Sequence, residues 1–371
     1  MTATSMDLWG PFLLALVVAV IVTPLAIKIA PKIGAMDIPK DERRMHSKAM
    51  PRFGGLAIFA GIIVSLAFYN DGDREIISIM ICCVIIYIVG VIDDLKTLKP
   101  RWKLLGQVLC AAALYFQGVR IEFVTNYFGD GNMIFGDVAC FLITVLWVVA
   151  ITNAVNLIDG LDGLAAGISA ISALCIGYVA YIHGQYTTTL AMMVIAGAAL
   201  GFLPFNFHPA KTFMGDSGSQ LLGFALSAFS IIGAVKSSTV IVVIIPALVM
   251  GLPIFDTLMA IIRRTLRHQS FATADKEHFH HRIMRAGYGQ RRSVMLMYCI
   301  SAIMGIVAVL YSRGYTVEYL GLLAVEAMLI YVLLSDTSNR SVNVRGVKIP
   351  SEKKELKEKD KEKDKEKESS E

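Results

Sequence analysis

The chain has six cysteines, and none forms a C-x-x-C pair or shows a spacing that suits zinc. Cys82, Cys83, Cys110, Cys140, Cys175 and Cys299 all lie inside apolar runs, which indicates membrane packing rather than a disulfide framework. The opening stretch MTATSMDLWG has no basic residue, so it lacks the n-region of a secretory signal peptide. The formal charge is +5, yet no basic stripe with interleaved aromatics is present, which argues against a nucleic-acid partner.

Long apolar runs are abundant. Hydrophobic residues make up 55% of the 371, and the mean hydropathy is +0.60, well above that of a soluble domain. A helix needs roughly 20 apolar residues to cross the hydrocarbon. Such segments begin near Leu8, Phe53, Ile76, Leu104, Val138, Leu164, Thr188, Ser219, Thr239, Ser293 and Val317. The expected fold is therefore all-α: a polytopic membrane bundle of about eleven helices.

The loops between these runs differ sharply in charge. Odd gaps carry Lys32, Lys40, Arg43, Arg44, Lys48, Arg52, Lys96, Lys99, Arg101, Lys103, Lys211 and the basic stretch from Arg263 to Arg292. Even gaps carry only Arg74, Arg120, Lys236 and Arg313. The positive-inside rule then puts the odd gaps and the C-terminus in the cytoplasm and the N-terminus outside. Residues 1–335 read as one integral membrane domain. Residues 336–371 read as a charged, disordered tail, since SEKKELKEKDKEKDKEKESSE cannot bury a core.

Five polar clusters fall in the odd gaps. VIDDLKTLKPRWK places Asp93 and Asp94 where a helix leaves the membrane; adjacent carboxylates repel, so a cation or shared proton is expected beside them. NAVNLIDGLDG spaces Asn156, Asp159 and Asp162 by three residues, on roughly one side of a helix or turn, where they suit metal or hydroxyl contacts. FNFHPAKTFMGDSGSQ sets Asp216 in a glycine-bounded helix start that favours an anion, without the glycine-lysine of a P-loop. DKEHFHHRI supplies His278, His280, His281 and Arg282, better suited as donors to a diphosphate than as zinc ligands. In HSKAMPRFGG, Lys48 and Arg52 precede a double glycine, and topology alone accounts for them.

Each cluster has an ordinary explanation as a helix cap, turn or solvated loop. Those explanations are independent and do not account for all five falling on one side. Carboxylates and a basic loop at the lip of a helix bundle suit phosphoryl transfer between a soluble anionic donor and a lipid, with a divalent metal. An ion-coupled transporter is the rival class, but it would place such acids near the midplane of broken helices.

Taken together, VIDDLK, NAVNLIDGLDG, FNFHPAKTFMGDSGS and DKEHFHHR resemble the signature of the polyprenyl-phosphate N-acetylhexosamine-1-phosphate transferases, over about His46 to Arg282. The histidine motif is similar to that of the bacterial branch that initiates teichoic acid, enterobacterial common antigen or O-antigen synthesis. The resemblance implies a plasma-membrane enzyme with a cytoplasmic active site. It would use magnesium, with manganese as substitute, and move N-acetylglucosamine-1-phosphate from UDP-GlcNAc to undecaprenyl phosphate with release of UMP. UDP-GalNAc and UDP-MurNAc-pentapeptide are the alternative donors, and a homodimer is expected by analogy. Carried over by position, Asp216 and Asn156 would bind the metal. Asp93 and Asp94 would position it or deprotonate the lipid phosphate, and Asp159 and Asp162 would orient donor and metal. Asn206 and Phe213 would hold the nucleotide, His278, His280, His281 and Arg282 the sugar diphosphate, and Lys48 would assist binding.

Overall fold

The computed structural model describes residues 8–38, 49–125, 132–235, 246–266, 283–284, 288–315, 317–325 and 328. Within them the chain runs α1 (Trp9–Ile33), β1 (Met36–Asp37), β2 (Met50–Pro51), α2 (Gly55–Tyr69), α3 (Arg74–Lys96) and α4 (Pro100–Phe116). It continues through β3 (Phe123–Thr125), β4 (Asn132–Ile134), α5 (Asp137–Ile158), α6 (Leu164–Ile182), α7 (Tyr186–Asn206), α8 (Gly215–Val235), α9 (Gly251–Leu266) and α10 (Gln290–Ser312).

By length and composition, α1, α3, α5, α6, α7 and α10 are long and apolar enough to cross a membrane, six among the described residues. The helix at the span expected near Leu104, α4, has 17 residues, and α2 is a shorter apolar helix of 15. The runs near Thr239 and Val317, and the tail, lie wholly or partly outside the described residues. The all-α expectation needs one amendment: two short antiparallel hairpins, β1 with β2 and β3 with β4, sit in the connections.

The helices have two apolar faces, as a lipid solvent demands. On α3, Ile76, Ile79, Cys83, Ile86 and Gly90 point inward, while Ile77, Ile81, Ile85, Ile88 and Ile92 are exposed. Helix association cannot then rely on water exclusion, and small residues let backbones approach. Ala15, Ala19, Thr23, Ala26 and Ala30 form the buried stripe of α1, which packs on α7 and α2. Further inside, α8 contacts α2, α3, α5, α6 and α7. Phe224 and Phe229 of α8 and Phe202 of α7 are among the largest fully buried side chains.

Helix direction alternates along the chain. The C-terminal ends of α3, α5 and α7 therefore meet the N-terminal ends of α2, α4, α6 and α8 at one end of the bundle.

Candidate active site

The site grows from a loop and a helix start. After β2, Arg52 N donates to Ala35 O, Phe213 N donates to Pro51 O, and Gly54 N and Gly55 N donate to Phe213 O and Met214 O at 2.9 Å each. The 212–214 segment is thus laced to the β2–α2 connection, and it delivers the first turn of α8 beside Arg52.

The last turn of α3 meets that first turn. Asp94 accepts from Asp216 N at 2.8 Å and Ser217 N at 3.0 Å, so it caps α8, and its side chain is wholly buried. The N-terminal N–H groups expected to favour a phosphate are therefore already occupied by an internal carboxylate. The close approach depends on Gly90, where a Cβ would lie 2.4 Å from Ser217 Cα, and on Gly215, at φ +71°, where a Cβ would strike the Asp94 carboxylate.

Two cations bridge the acids. Arg52 donates through Nη2 to Asp216 at 2.7 Å, and its Nε lies 3.1 Å from Asp94 Oδ1. Lys103 Nζ donates to Asp216 Oδ2 at 2.7 Å and to Asp93 Oδ2 at 2.9 Å, while the other Asp93 oxygen accepts from Leu98 N. The cation expected beside the adjacent aspartates is thus not the nearby Lys96. Pro100 opens α4 and reverses the chain, which brings Lys103 back over Asp93. Burial alone would ease the proton off Arg52, but Asp94, Asp216, Asp159 and Asp93 outweigh it and hold the guanidinium charged.

Asp159 follows α5 at the same rim. Burial, opposed by Arg52 and reinforced by the negative charges of Asp216, Asp94 and Asp162, pushes its carboxyl up to about 7. Asn156, one turn back, donates to Ser219 Oγ at 2.8 Å on α8. Five helices, α2 to α5 and α8, thus contribute or flank one cluster of four carboxylates and two cations.

The model of glycosyl transferase family 4 matches residues 76–234, the stretch from α3 to α8 that carries all four carboxylates. A Bacillus subtilis protein named "Probable undecaprenyl-phosphate N-acetylglucosaminyl 1-phosphate transferase" is 40% identical over 299 residues, 80% of this chain and 83% of that protein. A decaprenyl-phosphate N-acetylglucosaminephosphotransferase of Mycolicibacterium smegmatis is 34% identical across 82% of this chain and 83% of its own length. The undecaprenyl-phosphate alpha-N-acetylglucosaminyl 1-phosphate transferase of Salmonella typhi is 28% identical, covering 84% of each chain. The chain belongs to this polyprenyl-phosphate sugar-1-phosphate transferase family.

Within this family member, the structure brings Asp93, Asp94, Asn156, Asp159 and Asp216 together and gives other residues supporting contacts. Asp162 is buried, accepts from Ala210 N at 3.2 Å and lies 2.8 Å from His208 Nδ1, so it anchors the loop before α8. Asn206 accepts from Gly163 N and donates to Thr212 O, both at 3.0 Å, which engages both ends of its amide. Phe213 is half-buried, and its backbone joins the β2–α2 lacing. Lys48, His278, His280, His281 and Arg282 lie outside the described residues.

Arg52 and Lys103 bridge these acids, yet sequence reasoning gave neither a place in the site, because charge bias between the gaps already accounted for both. The available signal was Pro100. A helix restarting seven residues after Asp93 has to fold back toward it.

The donor set fits a divalent metal such as magnesium. It offers hard carboxylate and amide oxygens, and four acids against two cations leave two negative charges over when all are ionised. Among the described residues no group of three or more acidic, histidine or cysteine side chains forms a ready cage.

Proposed function

We propose that this protein transfers N-acetylglucosamine-1-phosphate from UDP-GlcNAc to undecaprenyl phosphate, giving undecaprenyl-diphospho-GlcNAc and UMP, as the first membrane step of teichoic acid or another surface polysaccharide. The observation that supports it is the Arg52- and Lys103-bridged carboxylate cluster at one end of an apolar bundle. There a water-soluble diphosphate and a lipid phosphate can meet. The names of the related proteins supply the donor sugar and the lipid.

In the reaction an oxygen of the lipid phosphate forms a bond to the sugar-bearing phosphorus while the bond to the bridging oxygen breaks, and UMP carries that oxygen away. Asp216 and the Asn156 oxygen would hold magnesium, whose charge would offset that of the diphosphate. Lys103 and Arg52 each face two carboxylates and can exchange one of them for a phosphate oxygen without losing their charge partner. Asp94 holds α8 in place. Asp159, whose carboxyl exchanges its proton near neutrality, is the group matched to accept a remaining proton from the lipid phosphate. His278, His280, His281 and Arg282 would grip the sugar diphosphate, with Lys48 assisting, and Phe213 would face the nucleobase. The site faces the cytoplasm in a bundle of about eleven spans with its N-terminus outside, which single-cysteine labelling of intact cells would test.

The deciding assay is UMP release by purified protein given polyprenyl phosphate and, in turn, UDP-GlcNAc, UDP-GalNAc and UDP-MurNAc-pentapeptide, with and without a chelator. Release with UDP-GlcNAc alone, abolished by the chelator, is the expected result. No release with any donor would overturn the assignment and favour a transporter.

A further inference from the structure

Directly beneath the charged cluster lies a second polar layer that the reaction described above does not use. Gln107 follows Lys103 by four residues on α4, Gln220 follows Asp216 by four on α8, and Asn153 precedes Asn156 by three on α5. These spacings put each amide on the same helix face as its rim residue, about one turn of 5.4 Å deeper into the bundle.

The amides interlock. Gln107 Nε2 donates to Gln220 Oε1 at 3.2 Å and to Asn153 Oδ1 at 3.5 Å, and Asn153 Nδ2 donates to Gln107 Oε1 at 2.6 Å and to Val149 O at 2.8 Å. Gln107 and Gln220 are buried. Gln220 Nε2 has no hydrogen-bond partner among the described residues, a costly arrangement at that depth. Apolar side chains would fill the same space without that cost, so packing alone does not account for three amides here.

Geometry gives them a task. Lys103, Asn156 and Asp216 sit on three different helices, and their distances depend on how each helix is rotated about its own axis. A hydrogen-bonded chain of three amides centred on Gln107, one turn below, fixes those rotations, as van der Waals contact between smooth apolar faces does not. We propose that Gln107, Asn153 and Gln220 form a positioning layer that holds Lys103, Asn156 and Asp216 in register for the transfer reaction, with Gln107 as its centre. This rests on the transferase reading for its catalytic consequence and on the coordinates for its structural one.

The test uses full-length purified protein, with Q107L, Q107N and the exchange variant Q107N/N153Q, which moves one methylene from one partner to the other. Misplacement on the ångström scale costs up to about a hundredfold in rate, so Q107L and Q107N should lose about ten- to a hundredfold in kcat while the KM for UDP-GlcNAc stays within about twofold. The exchange variant should recover most of that loss, which a defect in folding alone would not do. Wild-type kcat in Q107L, or no recovery in the exchange variant, would overturn the proposal.

A second readout needs no substrate. Amide hydrogen exchange at Asp216 and Ser217, whose N–H groups bond to Asp94, should quicken by about tenfold or more in Q107L without a matching fall in the global unfolding midpoint. Unchanged exchange overturns the positioning layer even if the wild-type protein releases no UMP from any donor. Missing UMP release with quickened exchange overturns only the transferase reading. Should Q107L fail to assemble, Q107E, which removes the donor hydrogens and keeps the shape, takes its place under the same criteria.

Discussion

Gly90→Ala should cripple this enzyme through a single methyl group. The added Cβ would lie 2.4 Å from Ser217 Cα, 2.7 Å from Ser217 N and 2.9 Å from Asp216 O. All three are backbone atoms, so no side-chain rotation relieves the clash. Ordinary contact between carbon atoms begins near 3.6 Å, and α3 and α8 must therefore part by about 1.2 Å at this crossing. Asp94 is the next residue but three on α3, and its bond to Asp216 N, now 2.8 Å, would stretch to about 4 Å and cease to be one. Overpacking costs about 1–3 kcal/mol, and each charge-assisted bond to a capping carboxylate is worth about 1.5–3 kcal/mol. With partial relaxation, stability should fall by about 3 kcal/mol. Displacement of Asp216 relative to Lys103 by about 1 Å should lower kcat about a hundredfold. UMP release measures the rate and thermal unfolding in detergent the stability, with Gly136→Ala as control, since a Cβ there meets nothing within 4 Å. A G90A enzyme with activity within about threefold of wild type would refute the coupling of the α3–α8 crossing to catalysis.

Lys103→Met keeps the aliphatic stem but leaves Asp93 and Asp216 without their shared cation. It should lower kcat/KM by at least about tenfold, because breaking a largely buried pair strands its partners, and with both acids bare the activity that remains should require less magnesium. Retention of wild-type magnesium dependence in K103M would contradict this. For Asp159 the folded carboxyl, at about 7, is raised above its ordinary value near 3.8, so its contribution to stability is fully present below that ordinary value and fades as pH rises through about 7. In chelator, the unfolding midpoint of the wild type should therefore fall more steeply over that window than that of D159N, and parallel curves would count against the assignment. Asp162→Ala should free His208 and the loop before α8, raising the KM for the nucleotide sugar more than it lowers kcat; an unchanged KM would remove Asp162 from that supporting role.

Long apolar runs were enough to establish a helical membrane protein, because the period and length of such segments report their solvent directly. The one-sided gathering of VIDDLK, NAVNLIDGLDG and FNFHPAKTFMGDSGS was equally legible, since charge bias orients each gap without knowledge of the fold. These motifs also carried the family. Partners across the bundle were not legible. Arg52 and Lys103 look like topology signals in the sequence, and only the β2–α2 lacing and the Pro100 reversal turn them into bridges between carboxylates. Asp94 reads like its neighbour Asp93, yet one caps α8 in complete burial and the other pairs with Lys103. That division depends on α8 approaching α3 over Gly90, a contact between residues more than a hundred positions apart that no local pattern encodes. The sequence by itself determined the solvent, the helices and the end of the bundle at which polar groups collect. Which acid binds, which anchors and which cation bridges were decided by tertiary packing, because those roles are set by distances between helices rather than by the order of residues along one.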